Sequence, residues 1–269
     1  MLQPKNESSV AAAIERDGVA HVRGLIDAAA CAGLIEAIEA CRAAPGPNFR
    51  TLSPEGRPVV QSDLFRWHDV PAIRDVAMQG ALLRLAAEVF GTDEVILLED
   101  QWFYSEEGSG TPSPWHQDHP YHPLEPWFLT IWIPLDPVPG PVGIKAVPGS
   151  HRGDVYAPVE FSAGKATLDA GGIVLRPVPD IDADPERHGV FEPRTAVGDA
   201  VLLDSRTLHA AGGLCAATFR RLSIRYAPPS TRIRLRPWPI ASFWADHEPK
   251  NGEALDPQSF PTIAIDPAG

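Results

Sequence analysis

Three residues of this 269-residue chain have the types and spacing of a metal-binding face. His116 and Asp118 lie two apart in Trp115-His-Gln-Asp-His119. Alternate residues of an extended chain project to the same side, so one strand offers both. His209 comes 93 residues after His116, just beyond the apolar run Ala200-Val-Leu-Leu. Two imidazoles and one carboxylate fill three positions of a six-coordinate ion and leave three open, the geometry of non-haem Fe(II) oxygenase centres. A His-x-Asp pair is common by chance, so the surrounding text has to carry the reading.

The elements that must hold these residues change character along the chain. Ser8 to Arg16 reads as a serine-capped helix, and the alternating stretch from Gly18 to Gly24 as a short strand. Asp27 to Ala43 has Cys31, Leu34, Ile35 and Ile38 at helical spacing behind a capping Asp27, and Val70 to Phe90 is a second helical region. From Glu94 the chain turns to short apolar runs between Gly and Pro: Val95–Leu98, Gln101–Tyr104, Phe128–Leu135, Ile144–Val147, Ala200–Leu203 and Leu222–Tyr226. Such runs predict an antiparallel sandwich or barrel. No composition break marks a linker. One domain over 1–269 is expected, with a helical part over about 1–93, a β core over about 94–236 and an irregular tail.

Composition limits the function classes. Pro and Gly make up 51 of 269 residues, about 19% against roughly 12% in average usage, which fits a turn-rich globular chain. With 23 cations against 35 acids the net charge is −12, unsuited to binding nucleic acid or an anionic membrane. No apolar stretch reaches the length of a membrane span, and MLQPKNESSV has no signal-peptide layout, so a cytoplasmic setting is expected. Cys31, Cys41 and Cys215 form no CxxC motif and read as buried small hydrophobes.

The text around the three residues is more telling. It includes SGTPSPWHQDHPYH over 109–122, WIPLDPVPGPVGIKAVPGSH over 132–151, GDAVLLDSRTLH over 198–209 and FRRLSIRY over 219–226. With the opening RDGVAHVRGLIDAAACAGLIEAIEA, these segments resemble the phytanoyl-CoA dioxygenase family of Fe(II)/2-oxoglutarate oxygenases, over nearly the whole chain. The resemblance implies a mainly β fold with a helical N-terminal cover, the core being a double-stranded β-helix (jelly roll, cupin-like). It implies that His116, Asp118 and His209 bind Fe(II), and that 2-oxoglutarate and O2 are cosubstrates. It also implies hydroxylation of a small organic molecule, with succinate and CO2 as by-products.

Within the family an arginine about eleven residues after the distal histidine grips the far carboxylate of 2-oxoglutarate. That spacing lands on Arg220. Strand alternation instead groups Arg221 with Ser223 and Arg225, and puts Arg220 with the apolar Leu222, Ile224 and Tyr226. Both arginines remain candidates. Either supplies a two-pronged, charge-assisted fork that lysine does not reproduce. Gln117 and Trp132 match positions that line the cosubstrate pocket, and Ser223 shares that side.

His151, His119 and His122 are further candidates near the site, and Asp199 reads as a turn residue ahead of the His209 strand. The family's usual lysine before the His-x-Asp segment is missing; Tyr104-Ser-Glu-Glu-Gly108 stands there, with Gln101, Tyr104 or Ser105 as replacements. Asp118 itself argues against a halogenase, which replaces that carboxylate with a small residue.

Two other readings compete. One is a jelly-roll metalloenzyme that does not use 2-oxoglutarate, which has no need of an arginine after the distal histidine. The other is a non-catalytic ligand-binding relative, which is expected to have lost a metal ligand. The substrate and the oligomeric state are not legible.

Overall fold

The structure is a computed structural model and describes residues 9–265, apart from 79, 111, 140–141, 161–164, 167–168, 171–172 and 239. Four helices cover one face of a β fold: α1 (Val10–Asp17), α2 (Ala28–Ala43), α3 (Pro71–Met78) and α4 (Ala81–Phe90). Their ends follow from the sequence. Ser9 accepts from the Ala12 amide and Asp27 from the Ala30 amide, each satisfying a first-turn donor. Gly18 ends α1 at φ 70, and a Cβ there would lie 2.4 Å from both His151 and Thr207. Gly80 divides the second helical region into α3 and α4.

The strands, in chain order, are β1 (Val19–Val22), β2 (Arg50–Thr51), β3 (Val60–Leu64), β4 (Glu94–Ser105), β5 (Leu124–Glu125), β6 (Leu129–Pro134) and β7 (Ile144–Ala146). Two short hairpins follow, β8 (Val159–Glu160) with β9 (Lys165–Ala166), and β10 (Asp169–Ala170) with β11 (Ile173–Val174). Then come β12 (Ala200–Asp204), β13 (His209–Ala211), β14 (Phe219–Ala227), β15 (Arg232–Ile233) and β16 (Thr262–Ala264). The large sheet is antiparallel throughout, in the order β1-β12-β6-β14-β4-β3-β2, with β16 sharing an edge of β4. Facing it are short pairs, β13 with β7 and β5 with β15. Bridges from His116 to His209 and from Ala146 to Phe191 extend the first of these. This is the expected jelly roll with helices on its outer face. Among the described residues no helix is long and apolar enough to cross a membrane.

The two faces of the large sheet part company by residue type. Leu97, Trp102, Ile131, Ile133, Leu202, Leu222, Ile224 and Tyr226 pack under the helices with Leu34, Ile38, Ile73 and Leu82 in one core. The opposite face looks into the roll. Register aligns three interior rows across β6, β14 and β4: Thr130–Arg225–Glu99, Trp132–Ser223–Gln101 and Pro134–Arg221–Phe103. Thr130, Arg225, Glu99, Ser223, Gln101 and Arg221 thus form a polar patch beside a smaller apolar cluster that includes Trp132, Val201, Leu203, Ile144 and Phe219.

Three expectations need correction. Val95–Leu98 and Gln101–Tyr104 are one strand, β4. Glu99 and Asp100 look like a break because charges are expected at the surface. Both are buried, Glu99 on Arg225 and Asp100 on the amides of Arg66 and Trp67. The register slips between Arg225 and Tyr226, so Leu98 and Glu99 both face away from the helices. The tail is not wholly irregular, since β16 completes the edge of β4. Finally, β3 lies in a stretch with no strand pattern, Val-Gln-Ser-Asp-Leu, and is held by pairing with β4.

Candidate metal centre

The two histidines reach the site through one local device. The His116 amide donates to the His209 carbonyl at 3.0 Å, and the His209 amide returns the bond at 2.9 Å. That reciprocal pair brings the rings to 4.2 Å between centroids. The turn before His209 is fixed by Thr207, whose hydroxyl donates to the Gly18 carbonyl, and by Ser205, which accepts from the Phe128 amide. Asp199 accepts from the Gly24 and Ala196 amides and pairs with His21, so it is the expected turn residue at the head of β12.

Each ring is oriented by its other nitrogen. Nδ1 of His116 meets the Pro114 carbonyl at 2.7 Å, and Nδ1 of His209 meets the Thr207 carbonyl at 2.9 Å. A carbonyl only accepts, so Nδ1 carries the proton and Nε2 holds the lone pair. The two Nε2 atoms lie 3.4 and 3.6 Å from Oδ1 of Asp118. An octahedral ion with bonds of about 2.1 Å separates neighbouring ligands by about 3 Å, so small adjustments seat one. All three side chains are buried. Burial favours the neutral acid of Asp118, but the Arg225 guanidinium outweighs it and holds the carboxyl well below its usual range. Burial, with His116 alongside, pushes His209 down to about 4. Two imidazole nitrogens and one carboxylate are a donor set that suits Fe(II).

The arginine question resolves into two different environments. Arg220 lies on the helix side, paired to Glu39 at 2.7 Å and Asp136 at 2.8 Å. Arg221 lies in the roll beside the rings of Phe103 and Phe219, and donates to the Ser105 hydroxyl at 2.9 Å. Among the described residues no carboxylate is within ion-pair distance of it, and burial pushes its pKa down to about 10. It is still a cation at neutral pH, and it has no anion. Ser105, one of the replacements considered for the missing lysine, is its partner. Tyr104 faces the helices, under the Arg42 guanidinium.

Trp132 and Ser223 are adjacent in the row between Arg221 and the metal ligands. Gln117 is elsewhere. Its amide donates to the carbonyls of Asp154 and Arg206 and accepts from the Tyr156 amide, so it fastens two loops behind the ligands instead of lining a pocket. His151 bonds to the Glu15 carbonyl against α1, His119 meets Arg236, and His122 accepts from the Trp244 indole. Each of these three histidines is engaged by a neighbour outside the three-residue cluster. Thr130 and Arg225, which the sequence reading did not assign, both bond to Asp118. Strand parity with Ser223 was the signal available for Arg225.

Comparison with known proteins gives a family and a fold. A family model described as phytanoyl-CoA dioxygenase (PhyH) matches residues 14–222. Among solved structures, the 2-oxoglutarate-dependent epimerase SnoN from nogalamycin biosynthesis superposes with a TM-score of 0.74 at 19% identity, covering 96% of this chain and 95% of that one. The carbocyclase SnoK from the same biosynthesis gives 0.73 at 18% identity, covering 97% of each. EctD from S. alaskensis, solved with 2-oxoglutarate and 5-hydroxyectoine, gives 0.68 at 21% identity, with 98% and 91% covered. At these identities the likeness is one of fold. No curated protein sequence matches the chain.

Proposed function

Because the chain belongs to the phytanoyl-CoA dioxygenase family, we propose that it hydroxylates a C–H bond of a small natural-product intermediate, at iron held by His116, Asp118 and His209. It is a non-haem Fe(II)- and 2-oxoglutarate-dependent dioxygenase. When bound, iron and 2-oxoglutarate together supply O2 activation, with release of succinate and CO2.

The protein's own residues do the positioning. The carbonyls of Pro114 and Thr207 fix which nitrogen each histidine presents. Arg221 holds the far carboxylate of 2-oxoglutarate as a charge-assisted fork, with Ser223 and Trp132 flanking the path to the metal. The ion pairs of Arg220 with Glu39 and Asp136 favour Arg221 for that role. The apolar rings of Phe103, Phe219 and Trp132 keep water from the cosubstrate.

The observation that carries this reading is the pairing of two features in one interior. Three ligand atoms converge within 4.8 Å of one another, and a half-buried arginine, with no carboxylate at ion-pair distance among the described residues, lies two rows away on the same sheet face. A metalloenzyme that does without 2-oxoglutarate has no use for the second feature. The natural-product substrate is supported by the likeness to SnoN and SnoK, both described as belonging to nogalamycin biosynthesis.

Those two structures also favour a second outcome. Epimerisation and ring closure start from the same hydrogen abstraction as hydroxylation. Product mass separates them: a gain of one oxygen for hydroxylation, no change for epimerisation, a loss of two hydrogens for ring closure. The experiment is O2-dependent succinate formation from 2-oxoglutarate with added Fe(II) across a panel of small metabolites. No turnover with any of them, together with protein that binds no metal, would reject the proposal.

A further inference from the structure

We propose that Arg225 and Thr130 are positioning residues that hold Asp118 to one-point metal ligation and so keep the coordination positions that 2-oxoglutarate needs. The inference rests on the iron and 2-oxoglutarate reading above.

The two oxygens of Asp118 are treated differently. Oδ1 faces both histidine Nε2 atoms. Oδ2 accepts from the Thr130 hydroxyl at 2.9 Å and from Nε of Arg225 at 3.1 Å. Arg225 is itself held, donating through Nη1 to Glu99 at 2.5 Å and to Gln101 at 3.3 Å. The row Thr130–Arg225–Glu99 runs straight across three hydrogen-bonded strands, so the sheet fixes its spacing. All of these side chains except Gln101 are buried.

A carboxylate left to itself is able to ligate through both oxygens. That would take a fourth position on a six-coordinate ion and leave two. A chelating 2-oxo acid and O2 together need three. Two donors on Oδ2, one of them cationic, make the second attachment unfavourable, because it would break a buried charge-assisted bond and strand the guanidinium.

A structural bolt and a ligation gate differ in a measurable way. Loss of a bolt weakens metal and 2-oxoglutarate together. Loss of the gate leaves the metal held as well as before, by a second carboxylate oxygen, while 2-oxoglutarate loses its place. The test is anaerobic titration of wild type, Thr130→Val and the charge-balanced double variant Glu99→Gln/Arg225→Gln, with Co(II) and then with 2-oxoglutarate. The absorption of Co(II) reports its coordination, and Arg225→Lys serves as a conservative rescue.

The expected result for the double variant is Co(II) affinity within about threefold of wild type and 2-oxoglutarate affinity lowered about tenfold or more, the scale of outer-shell losses. Thr130→Val should show the same split to a smaller degree, and Arg225→Lys should recover part of it. If the double variant does not fold, the split in Thr130→Val decides. Unchanged 2-oxoglutarate affinity in the folded variants, or parallel loss of metal and 2-oxoglutarate, would overturn the inference while leaving the proposed function standing. Failure of metal-loaded wild type to bind 2-oxoglutarate would overturn both.

Discussion

Arg221 donates to the Ser105 hydroxyl at 2.9 Å from inside the roll, while its neighbour Arg220 meets Asp136 and Glu39 on the other side of the same strand. One step along β14 thus separates an arginine awaiting an anion from one already neutralised. Arg221→Ala should raise the KM for 2-oxoglutarate by tenfold or more with little change in unfolding free energy. Arg220→Ala should leave that KM within about twofold and lower stability by about 1 kcal/mol, because its partly exposed ion pairs are screened by solvent. Steady-state kinetics with varied 2-oxoglutarate, alongside urea unfolding, separates the two. Equal effects on KM would mean that neither is the clamp.

Gln117 offers a test of where sequence likeness stops. Its amide satisfies backbone groups of Asp154, Tyr156 and Arg206. Gln117→Leu should lower stability by about 2 kcal/mol through unpaired polar groups, and leave the KM for 2-oxoglutarate within threefold. A large KM effect at unchanged stability would return Gln117 to the cosubstrate pocket.

His122 makes folding sensitive to acid. It is buried, and burial, reinforced by Arg225, pushes its pKa down to about 3. Its Nδ1 accepts from the Trp244 indole, which only donates, so the ring must be neutral. The unfolded chain binds a proton near pH 6.5 and the folded chain does not. The stabilisation is therefore complete above pH 6.5 and is lost on acidification towards pH 3. Between pH 6.5 and 5 this amounts to about 2 kcal/mol. His122→Asn keeps an acceptor for Trp244, and its unfolding free energy should fall less steeply over that interval. An identical slope in urea unfolding at the two pH values would show that His122 does not titrate as described.

The helix caps and most strands of the core were legible in the sequence because each rests on a local pattern, and the candidate ligands were legible through the motifs around them. Alternation put Arg221 and Arg220 on opposite faces, since parity along a strand survives folding, but the spacing from His209 kept both as candidates. What was not legible depends on contacts between distant segments. Glu99 and Asp100 are buried by partners that no nearby residue announces. β3 and β16 exist because β4 offers an edge. Gln117 sits between two ligands yet turns the other way, because the loops around Asp154 and Arg206 come from elsewhere in the chain.

The central claim is that His116, Asp118 and His209 hold an iron that requires 2-oxoglutarate. The most direct measurement is anaerobic addition of Fe(II) and 2-oxoglutarate to the metal-free protein, followed by the visible charge-transfer absorption of a chelated 2-oxo acid. Wild type should develop the band at one iron per chain, and His116→Ala and Asp118→Ala, with the fold intact by circular dichroism, should not. A band of equal intensity in both variants, or none in wild type, would contradict the account.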